Sequence, residues 1–188
     1  MDTELNPFAP PENDEPRPDR ITAQGVPFFL VSRTKLAVMW LSTLGLYQIY
    51  WFYRHWKLTK LRTRSDIWPL PRAIFALFFA HSLLRNVRLA AAESDVEPSF
   101  KVQASAWGFI ALSLLSRLPD PYWLVTMLAF VPMLPVQHTI NETQRRIAPT
   151  ADTNSGFSLG NWVAIAIGLV FWAFIGVALF VPEEAFLE

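Results

Sequence analysis

Lys35 to Arg64 reads KLAVMWLSTLGLYQIYWFYRHWKLTKLRTR, and its layering decides how the rest of the chain is read. Leu36 to Tyr53 carries no charge. A dense group of aromatic residues closes that run (Tyr47, Tyr50, Trp51, Phe52, Tyr53 and, just beyond, Trp56). Cations follow at Arg54, Lys57, Lys60, Arg62 and Arg64. An apolar stretch, an aromatic belt and a basic flank reproduce the layers of a bilayer from its centre to its cytoplasmic surface. The 18 uncharged residues would rise about 27 Å as a helix, barely enough to cross. Gly45, after Ser42 and Thr43, is the natural place for a break. Two topologies stay open: the segment spans, or it dips and returns. Arg17, Arg20, Arg33 and Lys35 precede it and six Lys/Arg lie between 54 and 72. Cations on both flanks favour the dip, since both flanks then stay on one side.

Working outward, the composition is that of a membrane protein. Of the 188 residues 52% are hydrophobic and 17% charged, below the roughly 25% of soluble domains. The net charge is zero, and the basic block abuts an apolar run, so anionic lipid headgroups are the expected partner and nucleic acid is not. No cysteine is present, which excludes disulfides and thiol chemistry. His55, His81 and His138 have no metal-ligand spacing. Neither a cofactor nor a metal is expected.

Upstream, residues 1–26 hold five prolines and six carboxylates and lack the pattern of a signal peptide. They read as a disordered tail, whose Asn6-Pro7-Phe8-Ala9-Pro10-Pro11 is either a plain linker or a docking peptide. Downstream, Pro69 and Pro71 suit a helix start. The uncharged part that follows, Ala73 to Leu84, is too short to span and is bracketed by Arg72, Arg85 and Arg88, as in an interfacial helix. His81 within it is a candidate polar site. Residues 91–101 read as a loop. Val102 to Ser116 and Pro121 to Asn141 form a transmembrane hairpin about Leu118-Pro119-Asp120-Pro121, with Pro132 and Pro135 expected to kink its second arm. Trp162 to Val181 is the third span. Gly156, Gly160, Ala164 and Gly168 recur every four residues toward it and mark a helix-packing face. The tail 183–188 carries three carboxylates and no cation, which places the C-terminus outside. Counting back places 142–160 inside, 118–121 outside and 85–101 inside. The expected fold is therefore all-α and polytopic: three transmembrane helices, a broken or re-entrant first element and an interfacial helix, in a membrane domain of residues 27–182.

Thr43-Leu44-Gly45-Leu46-Tyr47 followed by Tyr50-Trp51-Phe52-Tyr53-Arg54 resembles the signature of a family of small bacterial inner-membrane proteins. In these a Gly-(Ile/Leu)-Tyr turn precedes a Tyr-Trp-Phe-Tyr-(Lys/Arg) run. The Asn-Pro-Phe-Ala-Pro-Pro leader is similar to one that precedes membrane domains in several such families, and Ile140-Asn141 resembles a later element. The resemblance implies a multi-pass protein of the bacterial cytoplasmic membrane. It supplies no activity, since none is assigned to the family. The signature residues expected at the membrane interface are Gly45, Tyr47, Tyr50, Trp51, Tyr53, Arg54 and Lys57; Asn141 joins His81 as a polar candidate.

No carboxylate interrupts the uncharged runs, and there is no nucleophile elbow, phosphate loop or His-Glu-x-x-His helix. The expected protein is not an enzyme but an interaction or accessory module, with a protein partner or a second copy of itself. A small transporter or lipid-handling protein is the alternative, and a membrane enzyme stands behind both.

Overall fold

The computed structural model describes residues 28–180; the proline-rich leader and the acidic tail lie outside them. Seven α-helices, α1 to α7, and two 3₁₀ stretches make up the described part, which contains no strand. An extended segment, 28–32, leads into α1 (Arg33–Ser42). There the Ser32 side chain caps the helix by accepting from the Lys35 N–H at 3.1 Å.

The break expected at Gly45 is present. The Gly45 N–H donates to the Trp40 carbonyl and the Leu44 N–H to the Leu41 carbonyl, the two bonds of a Schellman cap. The left-handed cap position is filled by Leu44 (φ 53°), and Gly45 follows at φ +82°. A left-handed Leu costs about 1–2 kcal/mol, so the surrounding packing must hold this elbow. Thr43 joins its two arms: its hydroxyl donates to the Met39 carbonyl and accepts from the Tyr47 N–H.

The second arm, α2 (Tyr47–Thr63), returns along the first. The Phe29 N–H, just before α1, donates to His55 Nδ1 on α2 at 3.4 Å. The chain therefore leaves and comes back at one level, as a helical hairpin.

Pro69 and Pro71 open α3 (Pro69–Ile74), which breaks at Phe75 and continues as α4 (Ala76–Glu93). The helix runs into the stretch expected to be a loop, and only 94–101 is non-helical. One face of α4 (Ala76, Ala80, Leu83, Leu84, Val87) is buried, while Trp68, Leu70, Ile74, Phe75 and Phe78 stand exposed at the α3–α4 corner.

The hairpin has unequal arms. Its first, α5 (Val102–Leu114), is followed by a 3₁₀ turn, Leu115–Arg117. Together they rise about 26 Å, short of the roughly 30 Å of hydrocarbon. The second arm begins as a 3₁₀ helix, Tyr122–Met133, and becomes α6 (Leu134–Ile147). Here the prolines mark a change of helix type. Pro132 closes the 3₁₀ part, with its ring against Gly108, where a Cβ would lie 3.1 Å from it. Pro135 sits in the first turn of α6, where its missing N–H costs nothing.

The last helix, α7, spans Leu159–Phe180. Two stretches are long and apolar enough to cross a membrane: Tyr122–Ile147 (26 residues) and Leu159–Leu179 (21 residues). They differ in burial. Only 11% of the most apolar part of α7 is covered by the rest of the molecule.

Candidate functional site

The signature helix α2 meets α6 around a polar node deep in the molecule. Trp51 and His55 are fully buried. The Trp51 indole N–H donates to Gln137 Oε1 at 2.7 Å. The Gln137 amide donates in turn to Asn141 Oδ1 (2.9 Å) and to the Phe29 carbonyl (3.2 Å). Asn141 donates to the Val31 carbonyl at 3.0 Å. Gln137 and Asn141 are four residues apart on α6 and share a face. An extended segment inside a helical protein has backbone groups that need partners. His55, Gln137 and Asn141 supply them for Phe29 and Val31, and Asn154 reaches the Leu30 carbonyl at 3.3 Å. The node grips the backbone, whereas Phe28 and Val31, 1% and 0% exposed, insert their side chains into the core.

His55 is neutral in this setting. Desolvation, seconded by the neighbouring Arg54 charge, pushes its pKa down to about 3. Its Nδ1 is an acceptor, so the ring proton is assigned to Nε2, which has no hydrogen-bond partner among the described residues. Lys35, at the start of α1, is also buried. Its ammonium donates to Asn154 Oδ1 (2.8 Å) and the Gly156 carbonyl (2.6 Å). Desolvation lowers its pKa, and Asp152 pulls it part of the way back.

The signature residues divide between core and surface. Tyr47 and Trp51 are covered by protein, a correction to their expected place in an interface belt: Trp51 turns inward to Gln137 of α6, and Tyr47 lies at the elbow against the Tyr50 ring. Tyr50 is 44% exposed and Tyr53 half-buried. The cations are also partly spoken for. Arg54 lies over the rings of Phe29 (5.0 Å) and Tyr50 (5.9 Å), and Arg62 over Phe28. Lys60 pairs with Asp66 and Arg62 with Glu93. Lys57 and Arg64 point to the surface. His81 is half-buried on α4, away from the node. Asn141 is in the node. Gln137 and His55 are its members that sequence reasoning missed; it weighs His55 only for metal-ligand spacing. The i, i+4 pair Gln137/Asn141 was the available signal.

A second feature lies where the elbow meets α7. Of the small residues, Gly168 makes the close contact: a Cβ there would stand 1.7 Å from the Ser42 carbonyl oxygen. Trp172, one turn on, donates its indole N–H to the Leu41 carbonyl at 2.8 Å. Ala164 packs against the core, while Gly160 meets no other helix. Beside this seam runs a cleft of about 410 Å³, walled by Met39, Leu44 and Tyr47 on the elbow and Ala164, Ile167 and Phe171 on α7.

No group of three or more His, Cys, Asp or Glu among the described residues could hold a metal ion. The node's donors and acceptors are directed at the chain's own backbone. Such an arrangement orders the segment 28–31. Compared with known protein families, characterised proteins and solved structures, the chain matches none.

Proposed function

We propose that this protein is an integral membrane module that binds partners rather than transforming them. The observation that carries the membrane reading is α7: 22 residues without a charge, apolar on every side and almost uncovered. Burying such a surface in water-free surroundings is favourable by about 25 cal/mol per Å². The proposed topology has three spans, with α5 as the short one, a re-entrant α1–α2 elbow, and α3–α4 lying at the interface with its exposed Trp68, Phe75 and Phe78 in the headgroup layer. The leader, the 54–64 collar and the loop 148–158 then share the cytoplasmic side, and the C-terminus lies outside. The hydrogen bonds from Asn154 to Leu30 and from Lys35 to Asn154 support this grouping. The resemblance of the signature supports the cytoplasmic membrane of a bacterium as that membrane.

On that side Lys57 and Arg64 face anionic headgroups, each worth about 1 kcal/mol near the surface. The leader and collar form the binding face for a protein partner or a second copy of the chain. Reporters fused at each end test the topology: a periplasmic reporter should be active after Glu188, and a cytoplasmic one before Met1. Cytoplasmic activity at Glu188 would overturn it. Photo-crosslinking in whole cells from Phe8 and Lys57 tests the binding role. A reproducible protein adduct at either position supports it. A second reading, lipid handling, is favoured by the cleft beside α7.

A further inference from the structure

We infer that the cleft between the α1–α2 elbow and α7 holds one acyl chain of an anionic phospholipid, with the headgroup at the Tyr50–Arg54 end. The inference rests on the membrane reading of α7 and goes beyond it, since a bare lipid-facing helix needs no particular lipid.

Three observations carry it. The first is direction. Lys35 at the start of α1 bonds to Gly156 just before α7, and Ser42 at the end of α1 lies against Gly168. The two helices therefore run side by side, and the cleft lies along them. It extends on α7 from Gly160 to Phe171, eleven helical steps or about 16 Å of rise. That is about the hydrocarbon depth of one leaflet, half of the roughly 30 Å core.

The second is chemistry along its length. Its deep end, at Leu44, Leu46, Gly168 and Phe171, offers no charged side chain. The Thr43 hydroxyl at the elbow is taken up by the Met39 carbonyl and the Tyr47 N–H, whereas Asn161 lines the cleft two turns before Gly168 and Tyr50 one turn beyond Leu46. Arg54 lies over the Tyr50 ring, and Lys57 is exposed one turn further along α2. An apolar trough with a cationic rim on the cytoplasmic side matches a lipid with a negative headgroup.

The third is the elbow itself. It stops part-way along α7, so the deep end of the trough opens toward bilayer rather than water. An unoccupied apolar trough of this size would forfeit dispersion contacts on both walls. Leu46 and Ile167, 67% and 55% exposed, form its open lip, through which a chain can enter sideways.

The test uses the full-length protein in nanodiscs of phosphatidylcholine, doped with phosphatidylglycerol bearing a photoreactive group in its acyl chain. The adducts are then mapped by peptide mass spectrometry. Labelling at Leu44–Leu46, Ile167 and Phe171 should exceed labelling at Val163, Val170 and Phe174 at least threefold. A photoreactive phosphatidylcholine probe should show a smaller excess. Ile167→Trp, which fills the lip from outside without entering the core, should remove the excess. Arg54→Gln should erase the preference for the anionic probe. Leu46→Trp, on the opposite and exposed lip, is a second way to fill the trough should the Ile167 variant disturb α7. Equal labelling around α7 would mean annular lipid only and would overturn the inference. So would crosslinks from Ile167 to a second copy of the chain with no lipid adduct. Failure of the protein to sediment with membranes would instead defeat the membrane reading itself, and the two results are distinct.

Discussion

The two seams of the molecule are held by opposite means. Where α2 meets α6, three buried polar side chains, His55, Gln137 and Asn141, hold the backbone of an extended segment by directed hydrogen bonds. Where α1 meets α7, the main device is the absence of a side chain: Gly168 lets α7 close on the Ser42 carbonyl, and a single indole N–H completes the contact. The first seam lies in the covered core and the second borders an exposed apolar helix. Amides are affordable only where each donor and acceptor finds a partner. Close backbone approach needs no polar group and suits a helix that would otherwise face hydrocarbon.

Gln137→Leu should break the comparison most severely. It leaves the Trp51 N–H, the Phe29 carbonyl and the Asn141 side chain each short of a hydrogen bond. At about 1–3 kcal/mol per buried orphan the expected loss is about 3–5 kcal/mol, read as the midpoint of thermal unfolding in detergent. A loss below 1 kcal/mol would mean that the node is not what holds the segment.

Gly168→Leu should cost about 2–3 kcal/mol through overpacking against backbone. The damage should be local, with α7 becoming protease-sensitive while the rest persists. Gly176→Leu is the control: a Cβ there meets nothing within 4 Å. Equal effects at both glycines would show that the seam is not specific.

The node also has a pH signature that the other seam lacks. His55 is held near pKa 3 in the folded protein against about 6.5 unfolded. Between those values the unfolded state binds the extra proton. Stability is thus complete above about pH 6.5 and falls as the pH drops toward 3. At pH 5 the loss is about 2 kcal/mol relative to neutral pH. In His55→Gln this dependence should flatten, and an unchanged pH profile would remove His55 from the account.

The smallest effect is expected from Trp172→Phe, which deletes the donor to the Leu41 carbonyl. About 1 kcal/mol should be lost, as a modest rise in the proteolysis rate of α7 alone. A change at the node instead would mean that the two seams are coupled.

Much of the architecture was legible in residues 35–64 and their neighbours. The helical class, the break at Gly45, the proline start at Pro69, the turn at 118–121 and the long final helix all follow from local rules. Those rules concern backbone freedom, missing N–H groups and the length of an uncharged run, and need no knowledge of what lies opposite. The same locality accounts for the errors. Trp51 and Tyr47 look like an interface belt because aromatic residues beside cations usually are one. The burial of Trp51 depends on Gln137 of α6, distant in sequence. The every-fourth-residue pattern was visible from Gly156 to Gly168, but which member would touch another helix was not. Gly168 was singled out only when Ser42 came to lie against it.

The sequence by itself therefore determined that the chain is helical, where its first element breaks and which long helix carries no charge. Only the tertiary structure decided that the first element turns back on itself. Likewise it decided that Gln137, Asn141 and His55 converge on one stretch of backbone, and that a trough is left along α7. Periodicity and composition act within a few turns of helix. Pairing a buried amide with a carbonyl more than 100 residues away is settled by which faces meet.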